Sequence, residues 1–278
     1  MDLIPSIEIF YIILSSRMKL SIITVNLNNR EGLRKTADSV VSQTYKDFEW
    51  IIIDGGSTDG SRELIEQYGE HISWWCSEPD NGIYNAMNKG IRTSHGEYLL
   101  FLNSGDYLYK DDVLERVVPL LRGTDFYVGK ELTDYGALKD PKVDDPQELC
   151  RVLLELSLPH QSTFIHNHVF NTYGMYDETK RIVADWSLCY HSLLLGSATI
   201  KKIPFIISVF DTSGLSNIQY RSCTAEKEGI LSELSRFSQL TDFYRRNYYI
   251  IKALRSSRVV FFLCRVNTIF YRMRSNRK

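Results

Sequence analysis

Acidic and amide side chains gather wherever an apolar run of this chain stops. The run from Tyr98 to Leu102 carries no charge and ends abruptly in Asn103, Ser104, Gly105 and Asp106. A strand without charge is one covered on both faces, as in a parallel sheet. Ligands of open α/β sheets bind just outside the carboxyl ends of such strands, so Asn103 and Asp106 are placed to face a site. An acid delivered there suits a divalent cation, which takes hard oxygen ligands and whose shell a phosphate would complete. The same four residues also form a tight turn for backbone reasons alone, and on this stretch the two readings stand level. Leu20 to Val25 ends likewise in Asn26, Asn28 and Asn29, and Phe48 to Ile53 ends in Asp54 and a glycine-rich loop. Parallel order would bring all three polar ends to one edge.

The elements that must position these ends follow from periodicity. Leu33, Ala37, Val40 and Val41 recur at helical spacing between the first two runs, which predicts strand, helix, strand. Ser57 and Asp59 are candidate N-caps for a helix carrying Leu64 and Ile65, and the flanking glycines let backbone approach a ligand. A short third strand is predicted from His71 to Cys76. Turn residues then lead into a helix with Ile83, Ala86, Met87 and Ile91 on one face. Tyr84, Asn85, Asn88 and Lys89 lie on its other faces near the start, where the helix dipole favours anions.

Composition narrows the class. The chain has 278 residues, 44% of them hydrophobic, enough for a sizeable core and against disorder. Five cysteines lie scattered without CxxC spacing, which points away from a disulfide framework or zinc site and towards a reducing cytoplasm. The apolar run from Ile9 to Leu14 is far shorter than the roughly 20 residues a membrane span needs, and Asp2 and Glu8 do not suit a signal peptide. Met18 opens like the start of a domain, so residues 1–17 read as an upstream extension. Net charge is −1, yet no acid follows Asp242 while ten basic residues do. Tyr244 to Lys278 interleaves these with aromatic and aliphatic residues, which suits either an interfacial helix on an anionic membrane or a basic helix packed on its own domain. No recognition motif accompanies the charge, so nucleic acid is not the expected partner.

In the second half, Asp125 to Leu138 suggests a strand and hairpin, with Pro141 and Pro146 in an acidic loop. His160 and Gln161 stand beside an apolar strand, and Asp185 precedes a helix carrying Leu188, Leu193 and Leu195. On composition alone an N-cap is favoured for Asp185 over a catalytic role. His166, His168 and His191 lack a metal-binding pattern and read as surface or core residues. Trp74, Trp75 and Trp186 read as packing, with Trp186, beside Asp185, the one placed to stack on a sugar.

Four segments in order, SIITVNLNN, QTYKDFEWIIIDGGSTDGS, SEPDNGIYNAMNKGI and GEYLLFLNSGD, together resemble the nucleotide-binding half of family 2 glycosyltransferases, over roughly residues 18–115. The resemblance implies a GT-A fold, a Rossmann-like, mostly parallel α/β sheet with helices on both faces. It implies an inverting transfer from a nucleotide-sugar, UDP-linked by preference, to a glycan or lipid-linked acceptor at the cytoplasmic face of a membrane. By that likeness Thr24, Asn26 and Asp54 lie by the nucleoside, Asp80 and Lys89 near the donor, and Asn103 to Asp106 replace the Asp-x-Asp motif. Asp106 would then be the protein ligand of Mg²⁺ or Mn²⁺. His160, Gln161 and Trp186 would serve acceptor or diphosphate, and Asp185 would be the general base. Two departures from the family pattern stand out: Gly55 stands where a second acid is common, and Asn103 and Gly105 stand for both acids of the usual motif. An inactive nucleotide-sugar-binding relative is the alternative, and a sugar-phosphate nucleotidyltransferase a weaker one, because VNLNNREG is not a glycine-rich basic phosphate loop. The implied organisation is residues 1–17 as extension, 18–115 as donor half, 116–220 as acceptor half of the same domain, and 221–278 as a basic helical extension.

Overall fold

The computed structural model describes residues 18–213 and 220–233. The expected extension at 1–17 and the basic stretch from Tyr244 to Lys278 lie outside them. Three apolar runs become the parallel strands β1 (Leu20–Asn26), β2 (Glu49–Asp54) and β4 (Tyr98–Phe101), all fully buried. β3 (Trp74–Ser77) lies beyond β2. It begins three residues later than predicted, because the chain leaving the preceding helix first makes a 3₁₀ turn over Gly69–His71. Among the described residues nine strands form one sheet in the order β3-β2-β1-β4-β8-β6-β9-β5, with β7 paired to β6. The remaining strands are β5 (Tyr107–Leu108), β6 (Phe126–Thr133), β7 (Leu138–Lys139), β8 (Thr163–His166) and β9 (Ile200–Phe210). Strands β1 to β4 run parallel, and β8 joins them antiparallel to β4. Glu131 pairs with Lys139 across the predicted hairpin.

Alternate residues of the central strands enter opposite cores. Ile23, Val25, Ile51 and Ile53 face one side, while Leu20, Ile22, Trp50 and Ile52 face the other. This two-sided burial explains why these strands read as continuous apolar runs. Helices α1 (Arg30–Val41), α2 (Ser61–Gln67) and α4 (Val113–Val117) cover the second side. Helices α3 (Ile83–Thr93), α5 (Pro146–Glu155), α6 (His168–Tyr173) and α7 (Ala184–Cys189) cover the first. Pro146 lies not in a loop but at the first position of α5, where its missing N–H costs nothing and Asp145 caps the helix. A third cluster joins Val183, Trp186 and Tyr190 to Ile230 and Leu231 of α8 (Tyr220–Glu233). Among the described residues no helix is long and apolar enough to cross a membrane.

Candidate active site

The carboxyl ends of β1, β2 and β4 meet at one edge, as parallel order requires. Asp54, fully buried at the end of β2, is the hub of the first part of that edge. Its Oδ1 accepts from Asn26 Nδ2 at 2.7 Å and Ser57 Oγ at 2.6 Å. Its Oδ2 accepts from Ser57 N at 2.9 Å and Ser77 Oγ at 2.6 Å. Burial alone would raise the pKa of Asp54, but the bonds from Ser57, Ser77 and Asn26 outweigh it and hold the group below the usual carboxylate range. Ser57 is thus committed to Asp54 and is not a helix cap, whereas Asp59 accepts from Ser61 N at 3.1 Å and Arg30 N at 2.8 Å. With its Nδ2 spent on Asp54, Asn26 keeps a buried Oδ1 that has no hydrogen-bond partner in the protein.

Gly55 has a steric reason. A Cβ at this position would lie 2.6 Å from Asp80 Oδ2, so the carboxylate of Asp80 occupies the space a side chain at 55 would need. Asp80 also accepts from Gly82 N at 2.8 Å, which fixes it ahead of α3. Lys89, one helix face further on, pairs with Glu78 at 2.7 Å.

The turn after β4 is bolted to α1. The buried hydroxyl of Thr36 donates to Asp106 O at 2.7 Å and accepts from Gly105 N at 3.1 Å, and Asn29 Nδ2 donates to Ser104 O at 3.1 Å. Gly105 sits at φ +106°, a conformation that disfavours any side chain, and a Cβ there would lie 2.5 Å from Asp211 Oδ2. Asp106 points beneath this turn: it is buried, and its Oδ1 accepts from Asp211 N at 2.9 Å. Burial first, and then the charges of Glu131 and Asp211, push its carboxyl well above the ordinary range against the opposing bond from Asp211. Asn103 points the other way, its Nδ2 3.1 Å from His160 Nε2, and its Oδ1 is a second buried acceptor with no partner in the protein.

Asp185 comes to this edge from the second half of the chain. It occupies the first turn of α7 but does not cap it; Val183 is the N-cap position, and no side-chain cap bond forms. Its Oδ1 instead accepts from Tyr84 Oη of α3 at 2.8 Å, and its Oδ2 lies 3.6 Å from His160 Nδ1. Burial, followed by the charge of Asp185, raises the Tyr84 hydroxyl well above its ordinary value, so it stays a proton donor. α8 supports this loop from behind. Glu226 accepts from Arg181 N at 2.9 Å and Ile182 N at 3.0 Å, and the Lys227 ammonium lies 5.0 Å from the centre of the Trp186 ring.

The fold therefore gathers Asn26, Asp54, Asp80, Lys89, Asn103, Ser104, His160 and Asp185 along one edge, with Gln161 buried beside His160. Three expected contacts fall elsewhere. Thr24 is fully buried, and its hydroxyl accepts from Trp50 Nε1 at 3.0 Å on the side of the sheet covered by α1, α2 and α4. Trp186 is 2% exposed, donates to Leu153 O and stacks on Tyr190, so it is a core residue and not a sugar platform. Asp106 faces the inner side of its turn. Tyr84, Ser57, Ser77 and Thr36 enter the site without having been expected in it. Of these, the sequence singles out Ser57, as a candidate cap, and Tyr84, as a polar-tipped residue expected off the apolar stripe of its helix, whereas the structure buries the Tyr84 ring in the first core. His168 pairs with Asp125 at the far end of the sheet, and His191 bonds to Ser187 O, as packing residues do.

A divalent cation finds no ready ligand set. Asn103 and Gly105 supply no carboxylate, Asp106 is turned inward and driven towards its neutral form, and no group of three His, Cys, Asp or Glu among the described residues could hold a metal. These residues do not fit a cation held by protein carboxylates.

Comparison with known proteins completes the picture. Residues 21–167 match the family model described as glycosyl transferase family 2. An uncharacterised glycosyltransferase of Mycobacterium tuberculosis is 30% identical over 82% of this chain and 86% of its own length. A PGL/p-HBAD biosynthesis glycosyltransferase of Mycobacterium bovis is 30% identical over 71% of this chain and 78% of its own. Among solved structures, S. aureus TarS residues 1–349 in complex with UDP-GlcNAc superposes with TM-score 0.59 at 18% identity, over 70% of this chain and 58% of that one. The mannosyltransferase PcManGT of Pyrobaculum calidifontis, in complex with GDP-Man and Mn²⁺, superposes with TM-score 0.54 at 16% identity, over 70% and 57%. The chain thus spans less than two thirds of either structural neighbour.

Proposed function

The chain belongs to glycosyl transferase family 2 and is a glycosyltransferase of GT-A fold, and from that premise we propose that it moves a sugar, with inversion, from a nucleotide-sugar donor to a glycan or lipid-linked acceptor. The observation that carries the donor side is the pair of buried, partnerless acceptor oxygens at neighbouring strand ends, Asn26 Oδ1 and Asn103 Oδ1. Buried polar atoms in native proteins almost always find partners, and a ligand's N–H and O–H groups are the natural ones here. Support for a UDP-linked donor comes from the TarS complex, and support for a lipid-linked acceptor from the relative named for PGL/p-HBAD biosynthesis.

The chemistry assigned to Asp185 is a single in-line displacement. The acceptor hydroxyl gives its proton to the Asp185 carboxylate as its oxygen bonds to the anomeric carbon. The bond from that carbon to the diphosphate breaks on the opposite face, and its electron pair leaves with the nucleoside diphosphate. A positioned base contributes about 10²- to 10⁴-fold, or roughly 3–5 kcal/mol. Lys89 and the N-terminus of α3 are this chain's own counter-charges for the diphosphate.

The test is UDP release from a panel of UDP-hexoses supplied with a bacterial glycolipid extract, comparing wild type with Asp185→Asn. Turnover should fall at least about 100-fold in the variant while UDP affinity stays within about threefold. Undiminished turnover in Asp185→Asn would remove the base from the account.

A further inference from the structure

We propose that Tyr84 and His160 are positioning residues for Asp185, and that Asn103 fixes the ring tautomer with which His160 performs this task. The catalytic meaning of this arrangement rests on Asp185 being the base, whereas its hydrogen-bond pattern does not.

The inference begins at the turn after β4. An amide nitrogen donates hydrogen bonds and cannot accept them, so Asn103 Nδ2, 3.1 Å from His160 Nε2, requires that Nε2 carry no proton. In the neutral imidazole the proton is then on Nδ1, and Nδ1 is the nitrogen facing Asp185 Oδ2. The present separation of 3.6 Å is just beyond hydrogen-bond reach. Catalytic contacts of this kind commonly tighten when substrate binds. The other oxygen of Asp185 already accepts from Tyr84 Oη at 2.8 Å. One donor on each oxygen fixes the plane of the carboxylate and leaves its remaining lone pairs for an acceptor hydroxyl. Tyr84 comes from α3 in the donor half, and Asn103 from the donor turn, so both anchors tie the base to the half that holds the donor. Tyr176, Cys189, Cys223 and Lys227 also interact with Asp185. Burial pushes the tyrosine and both thiols up, which keeps them uncharged.

This arrangement gives a reason for the amide at position 103. A carboxylate there would accept and not donate, and would demand a proton on His160 Nε2. A neutral ring would then turn the bare Nδ1 towards Asp185, lone pair against carboxylate; otherwise the ring would take a second proton and become a cation. Asn103 and His160 are therefore matched to each other.

The first test needs no substrate. Side-chain ¹⁵N NMR on the full-length, labelled protein, with the His160 signals assigned through His160→Gln, reports which ring nitrogen bears the proton. The Nδ1–H form is expected in the wild type, and either the Nε2–H form or a doubly protonated ring in Asn103→Asp. A wild-type Nε2–H ring would overturn the tautomer claim. The second test is UDP release under the conditions given above, with Asp185→Asn run alongside. Tyr84→Phe, which removes one hydroxyl, should lower kcat about ten- to hundredfold, the worth of a hydrogen bond to a charged group, with the KM for donor within about twofold. The acid limb of its kcat pH profile should also move to higher pH, a change that loss of packing alone would not produce. If Asp185→Asn is inactive while Tyr84→Phe keeps wild-type kcat and pH profile, the positioning claim fails and the base stands. If neither substitution matters, both fail.

Discussion

Asparagine at position 54 would remove one charge and exchange one acceptor oxygen for a donor at the most densely bonded point of the site. Four donors converge on the two oxygens of Asp54, at 2.6–2.9 Å, with no exposure to water. An amide satisfies one pair and turns its NH₂ on the other. The hydroxyls of Ser57 and Ser77 can rotate to accept, but Asn26 Nδ2 and Ser57 N cannot, so either Ser57 N is left unpaired or Asn26 Nδ2 keeps only its longer bond to Ser57 Oγ at 3.2 Å. That costs about 1–3 kcal/mol, and the loss of charge assistance from the surviving bonds adds roughly 1–2 kcal/mol more. The total, about 2–5 kcal/mol, is a large part of the ~5–15 kcal/mol by which a domain is stable. Urea denaturation at pH 7 reads the loss directly. The pH dependence provides a second reading. The folded-state pKa of Asp54 is depressed, so its stabilisation is present above the ordinary carboxyl pKa and disappears as pH falls through the folded value. Asp54→Asn should lack that acid-side slope. A denaturation midpoint within the equivalent of about 0.5 kcal/mol of wild type, with the slope intact, would refute the assignment of Asp54 as the structural hub.

Asp106 predicts the opposite trend. Its folded pKa is raised, so its contribution is fully present below the unfolded value of about 3.9 and is lost as pH rises through the folded one. Asp106→Asn keeps the acceptor for Asp211 N and should gain stability over wild type as pH rises from about 4 to 8; a melting temperature that falls below wild type at pH 8 would contradict this. Gly90→Ala would place a Cβ 2.5 Å from Ile23 Cγ2, where α3 lies against β1. Overpacking of about 1–3 kcal/mol outweighs a helix-propensity gain of up to ~1 kcal/mol, so calorimetry should show a melting temperature lower by a few degrees, and a rise would disprove the close fit.

Much of this was legible in the sequence because the donor half is built from local signals. Uncharged runs ending in Asn26, Asp54 and Asn103 announced buried parallel strands and the edge where they stop. The stripe through Ile83, Ala86, Met87 and Ile91 gave the helix that carries Tyr84. What stayed hidden depends on side-chain direction and distant pairing. Thr24 shares its strand with residues facing both cores, and when both faces are buried the alternation no longer tells which residue meets the ligand. The direction of Asp106 depends on Asp211, which arrives from the far end of β9. The bond from Tyr84 to Asp185 joins residues 101 positions apart, and no periodicity encodes it. Trp186 next to Asp185 points into the cluster with Ile230 and Leu231 because neighbours on a helix face different ways.

The measurement that tests the central claim most directly is isothermal titration of the protein with UDP, GDP and dTDP, each in EDTA and in Mn²⁺, on wild type and on Asn26→Ala. Binding of one nucleoside diphosphate, already detectable in EDTA and weakened at least about tenfold in Asn26→Ala, is the predicted result, since about 1.4 kcal/mol for one lost buried hydrogen bond corresponds to that factor. Absence of binding by all three nucleotides with and without Mn²⁺ would contradict the donor site at the ends of β1, β2 and β4.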